Sequence, residues 1–264
     1  EVTRMKRLDK KYIFMPQSLG PFTRPKNKKY AQQAFANASL VFARETPSYE
    51  HVIALLDNTQ HVHQSPDFTN LLESTFLDEY KRFDDYIIIV PNSKMLSKKN
   101  KDKWWRDNYT LTLISLANKA VKLGEKVVIL NHSGIDDAAL CIEIADNVTK
   151  PIEIIEPEDA IRVKALISFG KLVISSRFHG CVSALSQAIP CIATGWSHKY
   201  QELFSEYEVA SLLLASGESI DEIEQRLEKC LQQLTDKKLE LNKHAVLYKQ
   251  HSNEMWQKVV DEIK

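Results

Sequence analysis

The run Ser175-Ser176-Arg177-Phe178-His179-Gly180 places side chains that bind anions and move protons within a few residues of each other. The arginine guanidinium matches the geometry of a phosphate or carboxylate. The histidine imidazole changes its protonation state near neutral pH. This spacing therefore predicts a site for a negatively charged ligand, with Arg177 as the anion-binding group and His179 as a general acid or base.

The elements on either side of this run would hold it at a strand end. The apolar residues 172–174 predict a buried strand, and residues 181–189 predict a helix that Pro190 ends. Backbone N–H groups and the positive end of the helix dipole meet at such a junction, so we expect Ser176 and Gly180 to help bind the ligand. A structural alternative remains open, in which Arg177 pairs with a surface carboxylate and His179 caps a helix in the core.

Short strands and helices alternate along most of the chain, which predicts an α/β fold with parallel sheets. We place an N-terminal domain at residues 1–80 and a second domain at residues 81–216. The second domain opens with the strand 86–90, whose unbroken apolar character is typical of a strand covered on both faces. Residues 217–264 are expected to form helices that brace the two domains.

Polar residues follow several strands of the second domain, directly after the apolar runs. The carboxyl ends of parallel strands share one edge of a sheet, where ligands bind, so these residues should converge. We expect Lys199 and its neighbours to lie on a loop and to bind acceptor or phosphate. The candidates at this edge are Asn92, Lys94, His132, Ser133, Ser197, His198 and Lys199.

Four residues of the first domain suit sugar hydroxyls and are expected to contribute from the other side of a cleft. They are Gln17, Ser18, Arg44 and Glu45. An alternative for Arg44 and Glu45 is a salt bridge between the two domains.

Composition limits the function classes. The chain has 264 residues with 35 basic and 35 acidic side chains, and this balance argues against a general nucleic-acid binder. Its apolar runs are shorter than the roughly 20 residues that span a bilayer, and residues 1–11 do not resemble a signal peptide. Four scattered cysteines predict buried, reduced thiols of a cytoplasmic protein.

Two further patterns bear on metal binding and on membrane contact. His61 and His63 would share one face of a strand, but a third ligand is lacking, so we predict no metal site. The lysines at 94–103, beside Trp104 and Trp105, favour a solvated loop. A patch that makes peripheral contact with the inner face of a membrane is the alternative.

The sequence resembles a known family, the polysaccharide pyruvyl transferases. The resemblance rests on several blocks in the right order, which together extend to about residue 203. These blocks are Pro16-Gln17-Ser18-Leu19-Gly20-Pro21-Phe22, Arg44-Glu45-Thr46-Pro47-Ser48, Ser65-Pro66-Asp67, Ser176-Arg177-Phe178-His179-Gly180 with Ser183-Ala184-Leu185, Pro190, and Ser197-His198-Lys199-Tyr200.

The resemblance implies a glycosyltransferase-B-like architecture of two Rossmann-like domains facing a cleft. It also implies transfer of a pyruvyl group from phosphoenolpyruvate, the donor substrate, onto two hydroxyls of a sugar acceptor, with no separate cofactor. The acceptor would be a polysaccharide or a lipid-linked oligosaccharide.

The chain departs from the family in two places. The family's Gly-rich opening stretch is not found upstream of Pro16, so we expect an incomplete N-terminal domain. Lys94 stands near the place where many members carry an arginine.

Two other functions are compatible with the same fold. One is a glycosyltransferase that uses a sugar nucleotide, and the other is a non-catalytic module that binds a glycan or a nucleotide.

Overall fold

The computed structural model describes residues 2–73, 78–195 and 197–264, and the chain divides into two compact units. The first unit contains the chain up to Leu71 together with Val246–Lys264. The second unit is Leu72–Ala245. The sequence predicts a domain boundary near residue 80 and a separate helical segment at residues 217–264. The structure instead shares that segment between the two units.

The first unit contains a parallel three-stranded sheet in the order β1-β2-β3. Its two faces bury different residues, because successive side chains of a strand point to opposite faces. Val41 and Ala43 of the central strand pack with Val52, whereas Leu40 and Phe42 pack with Met255 of the last helix. The elements of this unit are α1 (Val2–Arg7), β1 (Ile13–Gln17), α2 (Pro25–Ala36), β2 (Leu40–Ala43), α3 (Thr46–Ile53), β3 (Val62–Gln64) and a 3-10 turn at Phe68–Leu71.

The second unit is a larger α/β layer that accounts for the rest of the chain. Its last helix, α10, starts here and ends in the first unit. The elements are a 3-10 turn (Asp78–Phe83), β4 (Tyr86–Val90), a 3-10 turn (Ser93–Leu96), α4 (Lys103–Lys122), β5 (Val127–Leu130), α5 (Ile135–Asp146), β6 (Glu153–Ile155), α6 (Ala160–Ser168), β7 (Gly170–Ser175), α7 (Phe178–Leu185), β8 (Cys191–Thr194), α8 (His198–Glu206), a 3-10 turn (Ala210–Leu212), β9 (Leu213–Leu214), α9 (Ile220–Gln232) and α10 (Leu234–Ile263).

The second sheet is parallel throughout and has the order β6-β5-β4-β7-β8-β9. From β4 the chain first builds outward through β5 and β6, and then returns to the other side of β4 with β7. The strand order therefore reverses between β4 and β7, where the loops after the two strands diverge and leave room for a ligand. Ile87, Ile88 and Ile89 of β4 are completely buried, as expected for a strand covered on both faces.

Two elements differ from the sequence-based expectation, and both bear on the candidate residues. Helix α7 begins at Phe178 rather than at 181, so His179 and Gly180 belong to its first turn. His198 and Lys199 lie in α8, not in a loop. The buried residues Tyr200, Leu203 and Phe204 carry the helical spacing that stabilises α8 against the sheet.

The α/β class with two parallel sheets is confirmed. All four cysteines are buried thiols, and burial raises the pKa of Cys141 to about 12 and that of Cys230 to about 11. Among the described helices, none combines the length and the apolar character needed to cross a membrane.

Candidate active site

A buried hydrogen-bond network holds the carboxyl ends of β4, β7 and β8 together. The hydroxyl of Tyr109, on α4, accepts from the backbone N–H of Asn92 at 2.9 Å and donates to Oγ of Ser176 at 2.6 Å. The Ser176 hydroxyl also shares a 2.7 Å hydrogen bond with Thr194. The Asn92 amide and the Tyr200 hydroxyl both donate to the Ser176 carbonyl, each at 2.9 Å. Polar groups distant in sequence therefore do meet at this edge.

This network changes the roles expected for two candidates. Ser176 and Asn92 are almost completely buried, and their polar atoms are engaged with other protein groups. We had expected both to contact a ligand directly. In the structure they fix the backbone from which Arg177 projects, because each unpaired polar group here would cost free energy.

The guanidinium of Arg177 is held by Asp137, in the first turn of α5. Arg177 Nε donates to Asp137 Oδ2 at 2.9 Å, and Nη2 donates to the same oxygen. The other carboxylate oxygen accepts from the backbone N–H of Ser93 at 2.9 Å. The alternative of a surface carboxylate is wrong, because Asp137 is completely buried. The pair leaves Nη1 of Arg177, whose side chain is 12% exposed, for another acceptor.

His179 is exposed in the first turn of α7, so it does not cap a helix in the core. Its ring stands edge-on to Phe178, with 5.7 Å between the ring centroids. On the same phenyl ring lies the ammonium of Lys199, 4.8 Å from the centroid. His179 and Lys199 therefore both lie against Phe178, and Arg177 precedes it directly in sequence. At this start of α7 the helix dipole adds positive potential.

Gly180 explains how α7 approaches the sheet so closely. A Cβ atom built at this position would lie 2.6 Å from Oγ of Ser175, which is too short for any side chain. That hydroxyl also accepts from the backbone N–H of Arg177 at 3.2 Å. Gly180 thus contributes through packing, and it lets the N-terminus of α7 sit directly against the end of β7.

His132, after β5, belongs to the same charged group. Burial lowers its pKa, and the positive charges of Arg177 and His179 lower it further, whereas Asp137 opposes the shift. Its Nδ1 atom is buried and finds no hydrogen-bond partner among the described residues. The lowered pKa keeps the His132 imidazole neutral at neutral pH, next to the guanidinium of Arg177. Ser133 follows it and is partly buried.

The remaining candidates of the second unit occupy the edge with different exposure. Lys94 is exposed and follows Asn92, whose side-chain oxygen accepts from its backbone N–H at 3.1 Å. Ser197 is the N-terminal flanking residue of α8, and its buried hydroxyl has no partner among residues 2–73, 78–195 and 197–264. His198 is exposed. Trp196, part of the expected polar run after β8, lies outside the described residues.

The candidates of the first unit form a separate polar cluster at the ends of β1 and β2. Arg44 donates to Asp67 at 3.0 Å, to Glu45 at 3.3 Å and to Ser18 at 2.5 Å. These ion pairs lie within one unit, so the expected alternative of an interdomain pair between Arg44 and Glu45 is wrong. Glu45 is buried, whereas Gln17 and Ser18 are exposed. The exposed members are the ones that a sugar hydroxyl can reach.

Sequence reasoning missed three residues of the second-unit site: Asp137, Tyr109 and Tyr200. Asp137 stands in the first turn of a helix, where an acidic residue is ordinary. Tyr109 lies among the core residues of α4, where the sequence gives no reason to single it out. Tyr200 ends the family block at residues 197–200, but nothing in that block marks its hydroxyl as a donor to the Ser176 carbonyl. Of the histidine pair near β3, His61 bonds to the Phe35 carbonyl at 2.9 Å, and the His63 ring lies beside that of Phe42.

Several solved structures share the fold. A Listeria monocytogenes protein assigned as a UDP-N-acetylglucosamine 2-epimerase has a TM-score of 0.63 at 13% identity, covering 98% of this chain and 69% of its own. A UDP-forming trehalose-phosphate synthase from Burkholderia xenovorans has a TM-score of 0.60 at 11% identity, covering 99% and 70%. Anabaena HepE, in complex with UDP and glucose, has a TM-score of 0.56 at 12% identity, covering 99% and 73%.

At sequence identities this low, the likeness establishes the fold and does not establish a shared activity. These structures confirm the glycosyltransferase-B-like class expected from the sequence. Comparison of the sequence with curated proteins gives no match. The family comparison is more informative, since the sequence matches the model of the polysaccharide pyruvyl transferases over residues 6–198, most of its length. This chain belongs to the polysaccharide pyruvyl transferase family.

Proposed function

We propose that this transferase moves a pyruvyl group from phosphoenolpyruvate onto two hydroxyls of a sugar, within a polysaccharide or a lipid-linked oligosaccharide, to form a ketal. The observation that carries the proposal is the placement of Arg177. A buried carboxylate orients its guanidinium at the N-terminus of α7, beside the exposed imidazole of His179. This arrangement suits a small donor with two anionic groups.

Phosphoenolpyruvate carries a phosphate and a carboxylate, and the site offers a cation for each. Nη1 of Arg177 would bind one group, and the ammonium of Lys199, which lies over the Phe178 ring at 4.8 Å from the centroid, would bind the other. Lys94, which is exposed after β4, adds a third positive charge in this region of the unit. The first N–H groups of α7 lack acceptors within the helix and favour an anion in the same place.

His179 would supply the proton that starts the reaction. Protonation of the methylene carbon converts it to a methyl group and leaves positive charge at C2, which one sugar hydroxyl attacks. The bond between C2 and the phosphate oxygen then breaks, phosphate leaves with the electron pair, and the second hydroxyl adds to the cationic C2. Of the two hydroxyl protons, one restores His179 and the other leaves with phosphate, so the step balances. Arg177 would offset the charge on the departing phosphate.

A second function has a specific observation in its favour. The Anabaena relative in fold binds UDP and glucose, so a sugar-nucleotide glycosyltransferase is the competing activity. It would need space for a nucleoside diphosphate at the same edge of the sheet. The family match favours pyruvyl transfer over this alternative. The third candidate function is a non-catalytic module that binds a glycan or a nucleotide.

One experiment separates these functions. The protein is incubated in D₂O with phosphoenolpyruvate and a set of methyl glycosides of galactose, glucose and mannose. We expect release of inorganic phosphate and a ketal methyl signal that carries one deuterium, because the transferred proton comes from solvent. Binding of phosphoenolpyruvate is measured separately by calorimetry, which does not depend on the acceptor.

The His179→Ala variant should bind phosphoenolpyruvate while losing phosphate release. If the parent protein does not bind phosphoenolpyruvate, pyruvyl transfer is excluded. Release of UDP from UDP-glucose in the same mixture would establish the glycosyltransferase instead. If the parent and His179→Ala both bind phosphoenolpyruvate and neither releases phosphate, the protein is a binding module.

A further inference from the structure

A cavity of about 560 Å³ lies in the second unit, next to the edge that carries Arg177. The ends of β8 and β9, the first turns of α8 and the N-terminus of α4 surround it. Its volume falls in the range of small-molecule sites. None of the roles given above to Arg177, His179 or Lys199 uses this space, since none of these residues lines it.

The chemistry of the lining points away from an anion. Hydroxyls, an amide, an imidazole and a single carboxylate supply the polar groups, and neither lysine nor arginine is among the described lining residues. Such groups bind sugar hydroxyls, which donate and accept hydrogen bonds in equal measure. The polar side chains are Asp102, Ser197, His198, Gln201, Ser205 and Ser216.

Two of these groups have unused hydrogen-bonding capacity. The hydroxyl of Ser197 is buried without a partner in the described part of the chain, which a ligand hydroxyl would correct. Asp102 uses only Oδ1, which accepts from the backbone N–H of Trp105 at 3.1 Å and from the Ser216 hydroxyl at 3.0 Å. Its Oδ2 receives no hydrogen bond from the described residues. Leu213 and Leu214 add apolar surface for the C–H face of a pyranose ring.

The first turn of α8 connects this cavity to the donor site. Ser197 and His198 line the cavity, and the next residue, Lys199, places its ammonium over the Phe178 ring. Phe178 is the neighbour of both Arg177 and His179 in sequence. A sugar in the cavity would therefore lie next to the groups that hold the anionic donor.

We propose that this cavity is the subsite for the acceptor saccharide, with Asp102 and Ser197 binding hydroxyls of its ring. This inference rests on the pyruvyl transfer proposed above. It assigns the two reactants to the two sides of the α8 first turn. The anionic donor takes the side with Arg177 and Lys199, and the uncharged acceptor takes the cavity, whose described lining contains neither lysine nor arginine.

The test obstructs the cavity without touching the donor site. Gln201 is exposed and lines the cavity, so Gln201→Trp should fill part of it and leave folding intact. Gln232→Trp is the matched control, because Gln232 is an exposed helical glutamine that does not line the cavity. Saturation-transfer NMR follows methyl galactoside, methyl glucoside and methyl mannoside. Calorimetry follows phosphoenolpyruvate and UDP.

We expect Gln201→Trp to weaken binding of the best glycoside about tenfold and to leave phosphoenolpyruvate affinity unchanged. Ser197→Ala should weaken the glycoside to a smaller extent, since the Ser197 side chain makes no cap bond that α8 needs. Gln232→Trp should change neither ligand. Equal glycoside binding in Gln201→Trp and the parent overturns the subsite, and so does a parent that binds none of the three glycosides.

Two outcomes keep this inference distinct from the proposed function. If phosphoenolpyruvate binds the parent while Gln201→Trp leaves glycoside binding intact, the subsite is wrong and pyruvyl transfer stands. If Gln201→Trp weakens UDP binding and not glycoside binding, the cavity takes a nucleoside, and the acceptor assignment is overturned.

Discussion

Nε of Arg177 lies 2.9 Å from Oδ2 of Asp137, a carboxylate with no exposed surface. Removal of either partner of a buried ion pair is strongly destabilising, so the carboxylate and the guanidinium hold each other in place. The other carboxylate oxygen binds the N–H of Ser93, which ties the pair to the loop after β4. Asp137 is thus the positioning residue for the proposed donor-binding arginine.

Replacing this carboxylate should destabilise the protein. Asp137→Asn leaves the Arg177 guanidinium without a counter-charge, and we expect a loss of about 3 kcal/mol in the free energy of unfolding. Denaturant titration measures it. Asp107→Asn is the control, because Asp107 pairs with Lys103 on an exposed helix surface, where the expected loss is below about 0.5 kcal/mol. Equal losses in the two variants would contradict the role given to Asp137.

Arg177→Lys tests the anion-binding role directly. A single ammonium cannot both satisfy Asp137 and present a second donor, so the dissociation constant for phosphoenolpyruvate should rise about tenfold. Calorimetry gives the value. The matched control is Arg82→Lys, at an exposed arginine that forms a two-bond pair with Glu153, and it should leave the affinity unchanged. An unaltered affinity in Arg177→Lys would remove Arg177 from the donor site.

The Tyr109 hydroxyl joins the loop after β4 to the end of β7 through two hydrogen bonds. Tyr109→Phe deprives the Asn92 N–H of its acceptor and the Ser176 hydroxyl of its donor, both in a buried setting. We expect a destabilisation of about 1–3 kcal/mol, seen as a lower denaturation midpoint. Tyr30→Phe is the comparison, since the Tyr30 side chain is largely exposed. A Tyr109→Phe protein as stable as the parent would show that the network carries no net energy.

The lowered pKa of His132 predicts a pH dependence of stability. Above its ordinary value of 6.5 this imidazole is neutral in both the folded and the unfolded chain. As the pH falls below 6.5, the unfolded chain binds a proton that the folded site resists, so the free energy of unfolding falls. The fall ends once the pH passes below the folded pKa.

His132→Asn should reduce this loss of stability, and denaturant titrations of both proteins between neutral and acidic pH measure the difference. The pKa of His63 is also lowered by burial, so the parent keeps a second source of the same slope. His63→Asn in the first unit therefore serves as the control, because it makes the same change of side chain at the other histidine whose pKa is lowered. If the slopes of the parent and His132→Asn coincide, burial and the neighbouring Arg177 do not hold His132 neutral in the folded protein.

The sequence predicts most of the fold because parallel sheets leave a strong signal. The apolar run of β4 and the alternation of strands with helices mark the second sheet, and both are confirmed. The convergence of Asn92, Ser176 and Thr194 follows from the common edge of parallel strands. The start of α7 is less accessible to sequence reasoning, because Arg177-Phe178-His179-Gly180 has no capping residue and includes a glycine.

The partners of the site residues could not be predicted. Which carboxylate meets Arg177 depends on how α5 packs on the sheet, and Asp136 is as plausible in sequence as Asp137. Only the buried position of Asp137 and the exposed position of Asp136 separate them. The Ser176 hydroxyl likewise finds its two hydrogen-bond partners, Tyr109 and Thr194, only through tertiary contacts.

The first unit draws on both ends of the sequence, since Met255 and Val259 pack against Leu40 and Phe42, and Asn70 donates to the Tyr248 carbonyl at 3.0 Å. The three-stranded sheet is synthesised early, yet the part of one face that Met255 and Val259 cover stays open until α10 has been made. The second unit, whose residues are all made in between, can fold first. Completion of the early sheet is therefore a late event, and its uncovered face is the surface that a nascent chain must keep from aggregating.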